Sequence, residues 1–376
     1  MHFTKALTDT EVGVLAALWH WNGLQRKELC RRLELSRPTV ERALRGLAEL
    51  GLVHSVSASV PGRGRPARVF QVAPDAWTTL GMDFELPEVT LVLCNAAGQT
   101  VHTGTLELQE NLDQPRLVLH QLAQDVRTWL EQLGLAIDQV QGLGIGLPGF
   151  LTPQGVSFVG RNLPHWELVP VRELLAEHLS IPVLIRHDVQ LMALAEVEQR
   201  GWHDAVTLFA AVRPGLRGEL RIGAAVCLPG RIYAGGHGNG GALYRAVVQP
   251  VPADGTSHED RIAKIADRLV ASLIHAIPLI DPDHTVLHAE CLDHEEPTLL
   301  RMCRDKLQEQ LRGEYIGFAE IASAITRGVS GAERAALAVT RQLLLNRPDQ
   351  PPGSEGVKRH QDLLTQVRGF GERGRR

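Results

Sequence analysis

The sequence predicts an α/β protein fronted by a winged helix-turn-helix. Three observations carry that expectation. Residues 9–51 read as helix, helix, short turn, helix, and two strand-like runs around a Gly/Pro/Arg tip follow. From residue 79 onward, strand-like and helix-like stretches alternate. Residues 1–75 hold 11 Lys or Arg against 7 Asp or Glu, whereas the remainder holds 28 against 36, so a basic front precedes an acidic body.

Taken in order, residues 9–21 place Val12, Leu15, Leu18 and Trp19 at spacings of three and four, an amphipathic helix that Asn22-Gly23 ends. Arg26–Leu33 is a second short helix with Leu29 and Leu33 on one side. After the turn at Glu34-Leu35, Ser36 is a suitable N-cap and Pro38 falls in the first helical turn, where its missing N–H costs nothing. Val40, Leu44 and Leu47 then carry an apolar face to Leu50-Gly51. The strand-like runs 52–57 and 67–72 flank Pro61-Gly62-Arg63-Gly64-Arg65-Pro66 and predict a hairpin wing.

This arrangement makes the helix from Ser36 the one that enters a major groove. Off its apolar stripe stand Ser36, Arg37, Thr39, Glu41, Arg42 and Arg45, whose arginines and hydroxyls read base edges or hold phosphate. At the wing tip, Arg63, Gly64, Arg65 and Pro66 resemble the core of an AT-hook, whose guanidinium groups fit a narrow A·T-rich minor groove. The expected partner is therefore double-stranded DNA, an operator with A·T-rich flanks bound by a homodimer or higher homo-oligomer.

Composition narrows the alternatives. Of 376 residues, 44% are hydrophobic and 22% charged, which supports a sizeable core and excludes disorder as the main theme. No apolar run approaches the ~20 residues of a membrane helix, and the first ten residues lack a basic segment followed by an apolar one; the expected location is the cytoplasm. Five well-separated cysteines, Cys30, Cys94, Cys227, Cys291 and Cys303, argue against a disulfide framework and a structural zinc site.

In the body, Thr79–Cys94 and Gln99–Leu108 read as strands about the turn Asn95-Ala96-Ala97-Gly98, 115–133 as a helix, and Val140–Leu147 as a glycine-interrupted strand. A short strand at 182–185 precedes a helix over 189–199, and 318–345 reads as a capped pair of helices with Ser330 ahead of the longer one. The expected domains are 1–75, a winged helix-turn-helix; 76–190, a first lobe; 191–346, a second lobe with returning helices; and 347–376, a disordered tail.

Four motifs in this order, Gly144-Ile145-Gly146-Leu147-Pro148-Gly149, Asn162-Leu163-Pro164-His165-Trp166, Ile181-Pro182-Val183 ahead of Asp188, and Gly230-Arg231-Ile232-Tyr233-Ala234-Gly235-Gly236-His237-Gly238, resemble the ROK (repressor, ORF, kinase) family from about Leu80 to Leu345. The winged front resembles its repressor branch. The resemblance implies a two-lobed, actin-like sugar-kinase fold with a sugar cleft between the lobes, and a transcription regulator controlled by a sugar or sugar derivative.

The departures from the family pattern predict a kinase-inactive protein with no catalytic residues and no cofactor. Where family kinases have Asp-x-Gly-x-Thr, this chain has Asp83-Phe84-Glu85-Leu86-Pro87; where they have Gly-Thr-Gly, it has Glu219-Leu220-Arg221; and His288-Ala289-Glu290-Cys291 replaces a late Gly-Gly. Bulky and acidic residues stand where glycine lets main-chain N–H groups approach phosphate. Asp188 holds the position of the family's catalytic base, or caps a helix. Of the sugar contacts, Asn162, Asp188 and His237 persist, with His187 and Arg245 as altered ones; Arg245 suits an anionic ligand. The family's zinc ligands are replaced, so no metal is expected; His284, His288, Cys291 and His294 fit no standard finger spacing. An active sugar kinase with an accessory DNA-binding domain, and a pure interaction scaffold, are the alternatives.

Overall fold

The computed structural model describes residues 7–58, 67–85, 88–108, 112–147, 150–151, 156–158, 166, 169–214, 220–229, 231–236, 238–241, 243, 247–248, 258–311, 321–326 and 329–345. The chain forms two compact units: one gathers the described residues of 1–149, 154–186 and 330–350, the other those of 150–153 and 187–329.

The first unit opens with helices α1 (Asp9–His20), α2 (Arg26–Leu33) and α3 (Arg37–Glu49). Thr8 and Glu11 form a reciprocal capping box at the start of α1: the Thr8 N–H donates to Glu11 Oε2 at 2.9 Å and the Glu11 N–H to Thr8 Oγ1 at 3.3 Å. The Asn22-Gly23 stop has a plain cause, since both residues have left-handed backbone (φ 48° and 103°) and a Cβ on Gly23 would lie 2.6 Å from Gln71 Cγ. Strands β1 (Leu24–Gln25), β2 (Val53–Ala58) and β3 (Ala67–Val72) form an antiparallel sheet in the order β1-β3-β2, with Val53 opposite Val72 and Ser57 opposite Arg68. Val14, Leu15, Leu18, Leu29, Val40, Leu44, Leu47, Val53 and Val72 make its core, each large aliphatic contributing about 1.5–3 kcal/mol by burial. The buried stripe of α1 is Val14, Leu15, Ala17 and Leu18; of the expected line Leu15 and Leu18 are in it, and Val12 and Trp19 are half-buried.

Four strands continue the unit: β4 (Thr78–Glu85), β5 (Glu88–Asn95), β6 (Thr100–Glu107) and β7 (Val140–Leu147). With Val183–His187 they make a five-stranded sheet in the order Val183–His187, β7, β4, β5, β6, where β4–β5 and β5–β6 are antiparallel and β4–β7 is parallel. Helices α4 (Pro115–Gln132) and α5 (Val171–Leu179) belong to this unit, and so does the late α9 (Gly331–Leu345), which returns to pack on β4 and β7. The glycines of the two strands are why it fits. A Cβ on Gly81 would overlap the backbone of Ala332 and lie 2.7 Å from the Ala336 nitrogen, and one on Gly144 would lie 2.6 Å from the carbonyl carbon of Ala335. The small-residue face of α9 rests directly on bare backbone. Leu344 of the same helix and Trp77 and Ala96 of the sheet region join the core cluster of the winged module.

The second unit holds α6 (Asp188–Arg200), α7 (His258–Ile280) and α8 (Glu296–Leu311) around a mixed sheet in the order Arg231–Ile232, Leu220–Leu228, Thr207–Pro214, His284–His288, Ile321–Ser323. Val247–Val248 also pairs with Leu220–Leu228. Leu208, Ala210 and Val212 alternate toward Ile265, Leu269, Leu273, Leu299 and Leu307 of α7 and α8. The fully buried Glu196 on α6 accepts from the N–H groups of Ile325 (3.0 Å) and Thr326 (3.1 Å), from Thr326 Oγ1 (2.9 Å) and from Arg200. That network fixes the 321–326 segment. The expected helix pair over 318–345 is corrected here: Ile321–Ser323 is a strand parallel to His284–His288, because burying Ile321 beside that strand overrides the helical propensity of the Ala/Glu-rich stretch. Burial pushes the thiols of Cys94 to about 11 and of Cys227 and Cys303 to about 12, leaving them inert. Among the described residues, no helix is long and apolar enough to cross a membrane.

Candidate nucleic-acid interface

Helix α3 is anchored before it presents anything. Ser36 caps it, accepting from the Thr39 N–H at 3.3 Å with the two hydroxyls 2.7 Å apart, and Pro38 sits in the first turn. Val40, Ala43, Leu44 and Leu47 face the module's core, which leaves the opposite arc to Thr39, Arg42, Arg45 and Glu49. Arg42 and Arg45 are exposed. Among the described residues neither makes a hydrogen bond or ion pair, so both guanidinium groups are available to an outside acceptor. Arg37 is 73% exposed and donates from Nε to Glu41 Oε1 at 3.2 Å, which turns it along the helix flank. Ser36 and Thr39 are engaged in the cap. Arg63, Gly64, Arg65 and Pro66 lie outside the described residues.

On the flank of α3 toward the wing there is an open groove of ≈ 380 Å³. It is lined by Glu41, Leu44, Arg45 and Ala48 of α3, Arg26 of α2, and Val53, His54, Ser55, Arg68 and Phe70 of the wing strands. The sequence reading missed Arg26, His54 and Arg68. A signal was present: strand alternation puts Arg68 on the same face as Phe70 and the buried Val72, the face turned to the helices.

In the second unit, Asp188 begins α6. Its carboxylate takes the Val189 N–H at 2.6 Å, lies 2.8 Å from His187 Nδ1 and is paired with Arg213 Nη1 at 2.5 Å. Burial would raise its pKa, but His187, Arg213 and the Val189 N–H outweigh that and hold the carboxyl well below the usual carboxylate range. A group so paired is a poor proton acceptor. Asn162, His237 and Arg245 lie outside the described residues, so of the five sugar-contact candidates His187 and Asp188 are adjacent and the other three are not placed.

Around the replaced phosphate loops, β4 keeps ladder pairing with β5 through Glu85, opposite Glu88. Phe84 is buried edge-on to Trp166 at 5.3 Å, and the Trp166 indole donates to the Leu112 carbonyl at 3.1 Å. The Asp83 carboxylate sits where a Cβ on Gly331 would be, at the start of α9. In the second unit, His288 is buried beside Phe209 (6.1 Å), and residues 290–295 form a 3-10 turn closed by the Ala289 N–H donating to Glu296 Oε2 at 3.2 Å. Leu86, Pro87 and Glu219 of the replaced loops lie outside the described residues. His284 stacks on Trp202 at 3.7 Å and His294 is exposed, so these histidines are turned to separate surroundings.

Comparison with known proteins agrees with the two-part reading. The ROK family model matches residues 79–251 and the MarR family model residues 7–64. The DNA-binding transcriptional repressor Mlc of Escherichia coli K12 is 25% identical over 221 residues, covering 57% of this chain and 51% of Mlc. The xylose repressor of Caldicellulosiruptor bescii is 23% identical over 221 residues, covering 58% of this chain and 54% of that repressor. The chain thus spans about half the length of these curated relatives. A ROK family transcriptional regulator homologous to the E. coli MLC protein superposes with a TM-score of 0.63 at 18% identity over 89% of this chain and 95% of that one. A ROK family glucokinase from Streptomyces griseus, solved with glucose and AMPPNP, gives a TM-score of 0.52 at 15% identity over 69% and 98%. These likenesses show the fold: a MarR-like winged helix-turn-helix followed by an actin-like sugar-kinase fold.

Proposed function

We propose, from the premise that residues 79–251 form a ROK-family segment and residues 7–64 a MarR-type module, that this chain is a DNA-binding transcription regulator of the repressor kind. The observation that carries the reading is the pair Arg42 and Arg45: two exposed arginines, unengaged among the described residues, on a capped helix whose other face is core. Arginine reads guanine edges and also holds backbone phosphate, the two roles such a helix face needs. The relatives named as DNA-binding or xylose repressors support the same class. Ser36, Arg37 and Thr39 complete the helix face, and Arg63–Pro66 reach the flanking minor groove. Binding is by a homodimer to two half-sites about one helical turn, roughly 34–36 Å, apart, in the cytoplasm.

The body acts without phosphoryl transfer, and its effector is a sugar or sugar derivative meeting Asn162, His187, Asp188, His237 and Arg245. What supports the first part is the engagement of Asp188 by Arg213 and His187, together with the filled surroundings of Asp83 and His288. The domain limits proposed with this reading are 1–75 for the winged module, 76–190 for a first lobe, 191–346 for a second lobe with returning helices, and a tail from 347. A mobility-shift assay on DNA upstream of the protein's own gene tests the reading: a discrete complex that Arg42→Ala weakens supports it. Absence of any complex at micromolar protein, or equal affinity of parent and variant for unrelated duplexes, counts against it.

A further inference from the structure

We propose that the groove between α3 and the wing is a clasp for one DNA backbone phosphate, held by Arg26, Arg45 and Arg68; this rests on the DNA-binding reading. Its walls carry three arginines against one carboxylate, Glu41, so the groove is net cationic at neutral pH. Its floor is formed: the Arg26 guanidinium lies over the Phe70 ring, 5.7 Å from its centroid, and Nη1 reaches Glu41 Oε1 at 3.2 Å. Arg26 Nε is buried and, among the described residues, has no hydrogen-bond partner. Glu41 also binds Arg37, so it holds Arg26 in place with only part of its charge.

Placement decides which anion. Arg45 belongs both to this groove and to the outward arc of α3 that holds Arg42. A helix seated in a major groove about 12 Å wide brings its flanks against the bordering phosphates, and the flank of α3 toward the wing is this cavity. Arg68 closes it from the strand side, opposite Ser57 in the ladder. Arg26, Arg45 and Arg68 thus surround the position of a phosphodiester, while Arg42 is left to the bases. Such a contact fixes register without reading sequence.

The test uses the full chain and fluorescence anisotropy with two labelled 24-base-pair duplexes, one A·T-rich and one G·C-rich, titrated between 50 and 200 mM KCl. Arg68→Gln and Arg26→Gln should each weaken binding to both duplexes by the same factor and lower the slope of log K against log[salt] by about 1. Arg68→Lys should keep the slope, and Arg116→Gln on α4, an equal loss of exposed charge elsewhere, should not change it. Arg68 is an exposed strand residue, so its variant keeps the proposal falsifiable even where Arg26→Gln disturbs packing. If the parent binds neither duplex, the DNA-binding reading fails and the clasp with it. If the parent binds and Arg68→Gln keeps the parental slope, or Arg116→Gln lowers it equally, the clasp alone is overturned.

Discussion

The same chemical change, one methyl group in place of hydrogen, should act in opposite directions at two glycines of the first unit. At Gly144 an added Cβ would overlap the carbonyl oxygen of Ala335 in α9, lie 2.6 Å from its carbonyl carbon and 3.0 Å from Val339 Cγ2. Contacts of a real Cβ below 3.0 Å essentially do not occur, and the obstacle is backbone on one side and sheet on the other, so α9 must lift from β7. Overpacking of this kind costs about 1–3 kcal/mol. At Gly13, inside α1, nothing lies within 4 Å and the φ is not left-handed; removing a helix-interior glycine gains about 0.5–1 kcal/mol. At about 2–4 °C per kcal/mol for a unit of this size, Gly144→Ala should melt about 2–12 °C below the parent and Gly13→Ala about 1–4 °C above it. Thermal melts followed by circular dichroism, on the full chain at one scan rate, measure both. A Gly144→Ala protein that melts at or above the parent would show that the close seating of α9 is not what those glycines provide.

Other outcomes follow from the sites. Arg42→Ala should cost about 1–3 kcal/mol of affinity for a cognate operator, read by mobility shift, with little change on unrelated duplexes. Incubation with ATP, magnesium and common hexoses should release no ADP above a protein-free blank; steady ADP production would restore the kinase alternative. Glu196→Ala leaves three donors of Ile325 and Thr326 without their acceptor and Arg200 without its carboxylate, and should destabilise the second unit by about 3–5 kcal/mol, with Glu196→Gln intermediate by chemical denaturation. For Asp188 the folded pKa lies below the unfolded one, so its stabilisation is full above the ordinary carboxylate value of roughly 4 and is lost as pH falls through the lower folded value. The stability gap between the parent and Asp188→Asn should therefore still be present at pH 5 and close only in stronger acid.

Local signals made the winged module legible. The ranges of α2 and β3, the cap at Ser36 and the Asn22-Gly23 stop were all readable because each depends on neighbours in sequence. The glycines of Val140–Leu147 were visible as interruptions, but their reason was not: the helix that needs them is Gly331–Leu345, almost two hundred residues later. The strand Ile321–Ser323 was read as helix for the same cause, a long-range pairing with His284–His288 that composition does not announce. The Arg26–Arg45–Arg68 groove joins three elements, and only Arg45 stood out on a helical wheel. Asp188 was legible as a retained carboxylate, yet its partner Arg213 is 25 residues away and became visible only with the ion pair.

The return of α9 sets an order on biosynthesis. A chain leaving the ribosome exposes the bare-backbone face of Gly81 and Gly144, and a winged core still missing Leu344, until the whole intervening unit of residues 187–329 has been made. Nascent chains emerge at about 5–20 residues per second, so that face waits for many seconds with its covering helix unmade. The winged module is thus made before the helix that completes its core, so its full packing waits on the body that follows it.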